Sequence, residues 1–88
     1  MNQLSEKKIL VADDEPSVRL LVKRFLSKSY TVLEANDGEE AVNMAYHHKP
    51  DLILMDIMMP KIDGLTACYT LKADQATKAI PVVIGVPR

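Results

Sequence analysis

A single cysteine, Cys68, stands among the 88 residues of this chain. One thiol closes no internal disulfide, so a disulfide-stapled secreted scaffold is excluded and a reducing, cytoplasmic home is expected. Charge of one sign is not in excess either. Eleven Lys and Arg against twelve Asp and Glu leave a formal net charge of -1, and no nucleic-acid partner is expected from that balance. No apolar run approaches the ~20 residues of a membrane span, and the longest is interrupted by Asp56. The opening MNQLSEKKILVADDE lacks the apolar stretch of a signal peptide, so no membrane association is expected. Internal repeats, low-complexity linkers and long blocks of like charge are also missing. What remains is 48% hydrophobic and 26% charged, the composition of an ordinary globular domain. Its length allows one domain at most, with a small core.

Apolar runs and breakers alternate along the chain. Lys8 to Ala12 (KILVA) is a short apolar run stopped by Asp13-Asp14, and suits a buried strand. Pro16 fits the first turn of a helix, with Asp14 or Glu15 near its N-cap. Val18, Leu21, Val22, Phe25 and Leu26 recur at helical spacing and predict its apolar face. Thr31 to Ala35 (TVLEA) reads as a second strand. Asn36-Asp37-Gly38 breaks it, and Asp37 with Glu40 predicts a capping box before a helix carrying Ala41, Val42, Met44 and Ala45. That helix stops before Pro50. Asp51 to Met55 (DLILM) is the third strand, and Asp63-Gly64 opens a third helix with Leu65, Cys68, Tyr69 and Leu71 or Lys72 along one side. Ile80 to Ile84 (IPVVI) is a fourth strand, with Pro81 tolerable near its start.

Such a β-α-β-α-β-α-β order, with strands apolar on both faces, implies a parallel sheet covered by helices. Right-handed crossovers bring the C-terminal ends of all strands to one edge, where ligands bind in open sheets. Asp13 and Asp14 follow the first strand and Asp56 ends the third. If those two strands are neighbours, three carboxylates converge and repel one another. A hard divalent cation resolves that crowding. Mg²⁺ takes oxygen ligands, one or two carboxylates with waters and a phosphate, so the cluster suggests a Mg²⁺ site that handles a phosphoryl group. Asp-Asp-Glu before a helix is most often a cap, and a lone acid after an apolar strand most often a surfaced turn residue. Capping alone does not explain acids at the ends of two strands on the binding edge.

The stretches ILVADDEPSVRLLVKRFL, EANDGEEAV, PDLILMDIMMPKIDG and IPVVI cover nearly all of the chain. They resemble the receiver domain of bacterial two-component response regulators. The third stretch is the most specific, because it places an acid, two residues, Met-Pro and then Asp-Gly after an apolar strand. The resemblance implies a flavodoxin-like, doubly wound parallel sheet with strand order 2-1-3-4, here an incomplete (βα)3β unit occupying residues 1–88. It implies that Asp56 is the phosphoacceptor, that Asp13 and Asp14 hold Mg²⁺ directly or through water, and that Met58 offers the metal its backbone carbonyl. The donor would be a phosphohistidine on a sensor histidine kinase or a histidine phosphotransfer protein. Such a domain is a phosphoacceptor that assists its own phosphorylation, not an enzyme acting on a separate substrate.

The match departs from the family at its C-terminal end. The hydroxyl residue that closes the fourth strand in the family falls at Val86, which has no hydroxyl. The family's fifth strand, its lysine and its last helix have no counterpart in the chain. Part of the sheet face beside the first helix is expected to be uncovered and the fourth strand to be an open edge, so self-association through both is expected. An alternative reading is a receiver remnant that no longer switches and serves only to bind a kinase or a second copy. A phosphatase with an aspartyl nucleophile is disfavoured, since it needs a second acid where Met58 stands. His47 and His48 read as a solvated helix end, and Cys68 as a small core or half-buried residue. Met55, Met58 and Met59 read as packing beside hard acids that copper(I) would avoid.

Overall fold

The computed structural model describes residues 6–85. Seven elements follow in order: β1 (Lys8–Ala12), α1 (Pro16–Leu26), β2 (Thr31–Ala35), α2 (Gly38–His48), β3 (Leu52–Asp56), α3 (Gly64–Lys72) and β4 (Val82–Gly85). The strands make one parallel sheet in the order β2-β1-β3-β4. This is the flavodoxin-like arrangement that the resemblance implied. Because β1 and β3 are hydrogen-bonded neighbours, Asp13 and Asp56 leave the sheet side by side.

Alternate residues of each strand serve opposite faces. Leu10, Ile53 and Met55 point with Ala12 toward α2 and α3 and join Ala41, Ala45, Ala67, Leu71 and Ile80 in the buried cluster. On the other face Ile9 and Val11 are buried beside α1, while Leu52 and Leu54 are only half-buried and Val83 is exposed. The predicted stripe of α1 is split accordingly. Val18, Val22 and Leu26 are half-buried, but Leu21 and Phe25 face solvent at 57% and 75% exposure. No residue of α1 is fully buried. Among the described residues, β4 carries no strand on its outer side.

Three differences from the expected elements have physical causes. The third strand starts one residue later than expected and includes Asp56. Asp51 is outside it because its carboxylate Oδ2 accepts from the Lys8 N–H at 2.8 Å while its own N–H donates to the Lys8 carbonyl at 2.8 Å. The fourth strand begins at Val82, not Ile80. Ile80 N–H is spent on the Thr77 carbonyl at 3.0 Å, and Pro81 has no N–H to give. The buried side of α3 is Gly64, Ala67 and Leu71, whereas Leu65 and Tyr69 are 58% and 77% exposed. Leu71 is on the side expected, while Gly64 and Ala67 are buried because the start of α3 packs close against the end of β3.

The helix ends follow their capping signals. The Asp37 carboxylate accepts from Glu40 N–H at 2.8 Å, and the Glu40 carboxylate accepts from Asn36 N–H at 2.7 Å, so the capping box closes one residue further out than its usual form. Lys49 ends α2 in the left-handed region at φ 47, a conformation glycine adopts without steric cost. Lys49→Gly is expected to stabilise the fold by about 0.5–1 kcal/mol, after allowing for glycine's greater unfolded-state entropy. A urea melt checks this, and a loss of stability would show that the Lys49 ammonium bond to the Tyr46 carbonyl at 2.8 Å outweighs the strain.

Candidate functional site

The acidic residues meet at the C-terminal edge of the sheet. One carboxylate oxygen from each of Asp13, Asp14 and Asp56 lies within 4.8 Å of the others. Asp13 and Asp56 are half-buried and Asp14 is exposed. All three expected acidic residues are therefore brought together. The donors are hard oxygens at the C-terminal ends of two adjacent strands, a set that fits Mg²⁺ and no soft metal.

The Asp13 and Asp56 carboxylates meet nearby backbone N–H groups. Asp13 N–H donates to the Ala35 carbonyl at 3.0 Å, which carries the β1–β2 ladder one residue past the strand. Asp13 Oδ1 then accepts from Glu15 N–H at 2.9 Å and turns the chain into α1. Glu15 occupies the N-cap without a side-chain cap, and Pro16 at the first turn has no N–H to satisfy. Asp56 ends β3 opposite Gly85 of β4. Met58 N–H approaches Asp56 Oδ1 at 3.4 Å, while the Met58 side chain is 63% exposed. Val86, the expected hydroxyl position, lies outside the described residues.

The loop after Asp56 is clamped from both sides. Met59 is buried in the core, and Gly64 N–H donates to the Ile57 carbonyl at 2.9 Å. Asp63 caps α3 by accepting from Thr66 N–H at 2.8 Å, and that hydrogen bond holds its carboxyl below the usual 3.8. Lys61 takes φ 69 in this loop, and its ammonium lies 3.7 Å from the Asp37 carboxylate and 3.6 Å from that of Glu39. The Lys61 side chain is exposed in both pairs, so each contributes little stability.

Beside the acids lies a groove of about 230 Å³ whose lining includes Asp13, Asp56 and Gly85 together with Val11, Val18, Val22, Leu54 and Val83. Lys61 and the Arg19–Glu34 pair were not singled out from the sequence. A basic residue four positions into a helix and an acid inside an apolar strand were the available signals for the last pair.

Residues 9–86 match the family described as response regulator receiver domain. The chain belongs to that family. It is 49% identical over 78 residues to the response regulator PleD of Caulobacter vibrioides, covering 88% of this chain and 17% of PleD. It is 51% identical over 67 residues to the alkaline phosphatase synthesis transcriptional regulatory protein PhoP of Bacillus subtilis, covering 75% of this chain and 28% of PhoP. The chain thus spans less than a third of each of these two relatives. Among solved structures, the N-terminal domain of a response regulator receiver protein from Methanoculleus marisnigri superposes with a TM-score of 0.89 at 35% identity, over 96% of this chain and 69% of that one. The receiver domain of a Pseudomonas aeruginosa sensor histidine kinase, solved with a magnesium ion coordinated in its active-site cleft, superposes with a TM-score of 0.85 at 28% identity, over 91% of this chain and 66% of that one. The receiver reading of the sequence therefore holds. Receivers bind Mg²⁺ in their active sites as a family. No helix among the described residues is long and apolar enough to cross a membrane.

Proposed function

We propose that this receiver accepts a phosphoryl group on Asp56 from a phosphohistidine of a sensor histidine kinase or a histidine phosphotransfer protein. The observation that carries the reading is the convergence of the Asp13, Asp14 and Asp56 carboxylates within 4.8 Å at the sheet edge. An Asp56 carboxylate oxygen attacks phosphorus, the bond between phosphorus and the donor imidazole nitrogen breaks, and the imidazole keeps the electron pair. The product is an acyl phosphate on Asp56. Asp13, Asp14, Asp56 and the Met58 carbonyl would hold Mg²⁺, which offsets the crowded negative charge of acids and phosphoryl group. The end of β3 carries the nucleophile, and the Ile57–Gly64 hydrogen bond ties the following loop to the start of α3. The protein modifies itself in this step and turns over no separate substrate. A cytoplasmic setting goes with the free Cys68 thiol.

The exposed Leu21 and Phe25 of α1, with exposed Val83 on β4, which carries no strand on its outer side among the described residues, support self-association through a second copy. Sedimentation at rising protein concentration tests it, and a monomer at all concentrations overturns it. A second reading, a docking module that does not switch, is favoured by one residue. Val86 offers no hydroxyl to a phosphoryl oxygen.

The deciding experiment is incubation with Mg²⁺ and acetyl phosphate, followed by intact mass, beside Asp56→Asn. A single phosphoryl adduct that the variant lacks is expected. No adduct on protein shown to be folded would overturn the phosphoacceptor reading and leave the docking module.

A further inference from the structure

Arg19 reaches from the second turn of α1 back to the loop that carries the acidic pair. Its side chain is 16% exposed. Nη1 donates to the Asp13 carbonyl at 2.6 Å, and Nε donates to Glu34 Oε1 at 3.2 Å. Glu34 stands in β2 directly across from Val11 of β1, and its other oxygen lies 3.4 Å from the Lys23 ammonium. One planar guanidinium thus joins the end of β1, the start of α1 and the middle of β2. The Asp13 carbonyl lies one residue past β1, where no strand supplies it a partner. Arg19 supplies that partner.

We propose that Arg19, oriented by Glu34, is a positioning residue for the Asp13–Asp14 loop. It touches neither carboxylate of the pair. It sets where their backbone lies, and therefore the spacing of Asp13 and Asp14 from Asp56. Arginine suits the task because its donors are fixed in one plane and stay charged, so two acceptors on different elements are held at a set distance. A lysine at 19 reaches one acceptor or the other. This inference rests on the Mg²⁺ reading of the three acids, since the spacing matters only to a group bound between them. Partners that orient metal ligands change metal affinity by about 10–100-fold when removed.

The test compares wild type, Arg19→Met, Arg19→Lys and Glu34→Gln with Ile80→Val, which trims the core far from the acids. Mg²⁺ affinity is measured by titration calorimetry, and backbone amide shifts of residues 13–15 are recorded without metal. Arg19→Met is expected to bind Mg²⁺ about 10-fold more weakly. Arg19→Lys and Glu34→Gln should fall between it and wild type, and Ile80→Val should bind as wild type. The 13–15 amides should shift in Arg19→Met before any metal is added. If wild type binds Mg²⁺ and folded Arg19→Met binds equally well, the positioning role is overturned and the metal site stands. If wild type binds no Mg²⁺, the metal reading fails and the positioning role with it. Glu34→Gln and Arg19→Lys keep the test open should Arg19→Met fail to fold, and wild-type affinity in both would overturn the proposal.

Discussion

Gly64→Ala is expected to break the acceptor end of β3. A Cβ on Gly64 would overlap the Asp56 carbonyl outright and sit 2.9 Å from the Ile57 Cα. Both obstacles are backbone, so no side chain can swing away. Gly64 has no positive φ, and glycine is needed there for close approach alone. The helix must retreat, which opens Ala67 and Leu71 to voids, or β3 must yield, which moves Asp56. Overpacking of this kind costs about 1–3 kcal/mol, with the upper end expected against backbone. The effect on phosphorylation is larger, because displacing a nucleophile by ~1 Å lowers a rate by about 100-fold. Gly85→Ala is the internal comparison: its new Cβ would meet only the Met55 carbonyl at 3.7 Å, an ordinary contact. Urea melts and the time course of adduct formation from acetyl phosphate read both effects. A Gly64→Ala protein as stable and as reactive as Gly85→Ala would mean that α3 does not lie on the acceptor strand.

Asp13→Asn should reverse its effect on stability when Mg²⁺ is added. Two like charges about 5 Å apart repel by roughly 0.8 kcal/mol in water and about 3 kcal/mol at an effective dielectric of 20. Asp13 and Asp56 are both half-buried, so removing one charge should stabilise the metal-free protein by about 1 kcal/mol. The amide oxygen of Asn can still accept from Glu15 N–H, so the turn into α1 is kept. With Mg²⁺ at a hundredfold excess over its dissociation constant, wild type should gain about 2.7 kcal/mol. Asp13→Asn should lose most of that gain. Asp14→Asn should behave the same way with a smaller metal-free benefit, because Asp14 is exposed. Paired urea melts in chelator and in Mg²⁺ decide the matter. If both variants are less stable than wild type without metal, the acids act as caps and the metal reading loses its physical basis.

The capping signals carried through to the structure because they are local. Asp37 forms the hydrogen bond to Glu40 N–H that its spacing predicts, and Asp63-Gly64 opens α3 as expected, with Asp63 accepting from Thr66 N–H. The acidic site was legible for a related reason. Each acid ends an apolar run, and parallel strands joined by helices bring such ends to one edge. The α3 face was legible only in part, because size is a poor guide to burial. Leu71 of the expected side is buried, but Leu65 and Tyr69 face solvent while Gly64 and Ala67 face the core. Hydrophobicity along one helix does not reveal how near its neighbours will come.

By itself the sequence determined the succession of strands and helices, the caps that start α2 and α3, and the three acids with Asp56 at the end of the most apolar strand. Those are properties of short segments, governed by hydrophobic period and by hydrogen bonds between near neighbours. Only the tertiary structure decided that Gly38 must be small because the Ile62 backbone lies against it. It also decided that Lys61 reaches Asp37 and Glu39, and that Arg19 braces Asp13 from α1 with Glu34 of β2 behind it. Each of these depends on how separate elements pack against one another, and that distance is set by the tertiary structure, which no local pattern records.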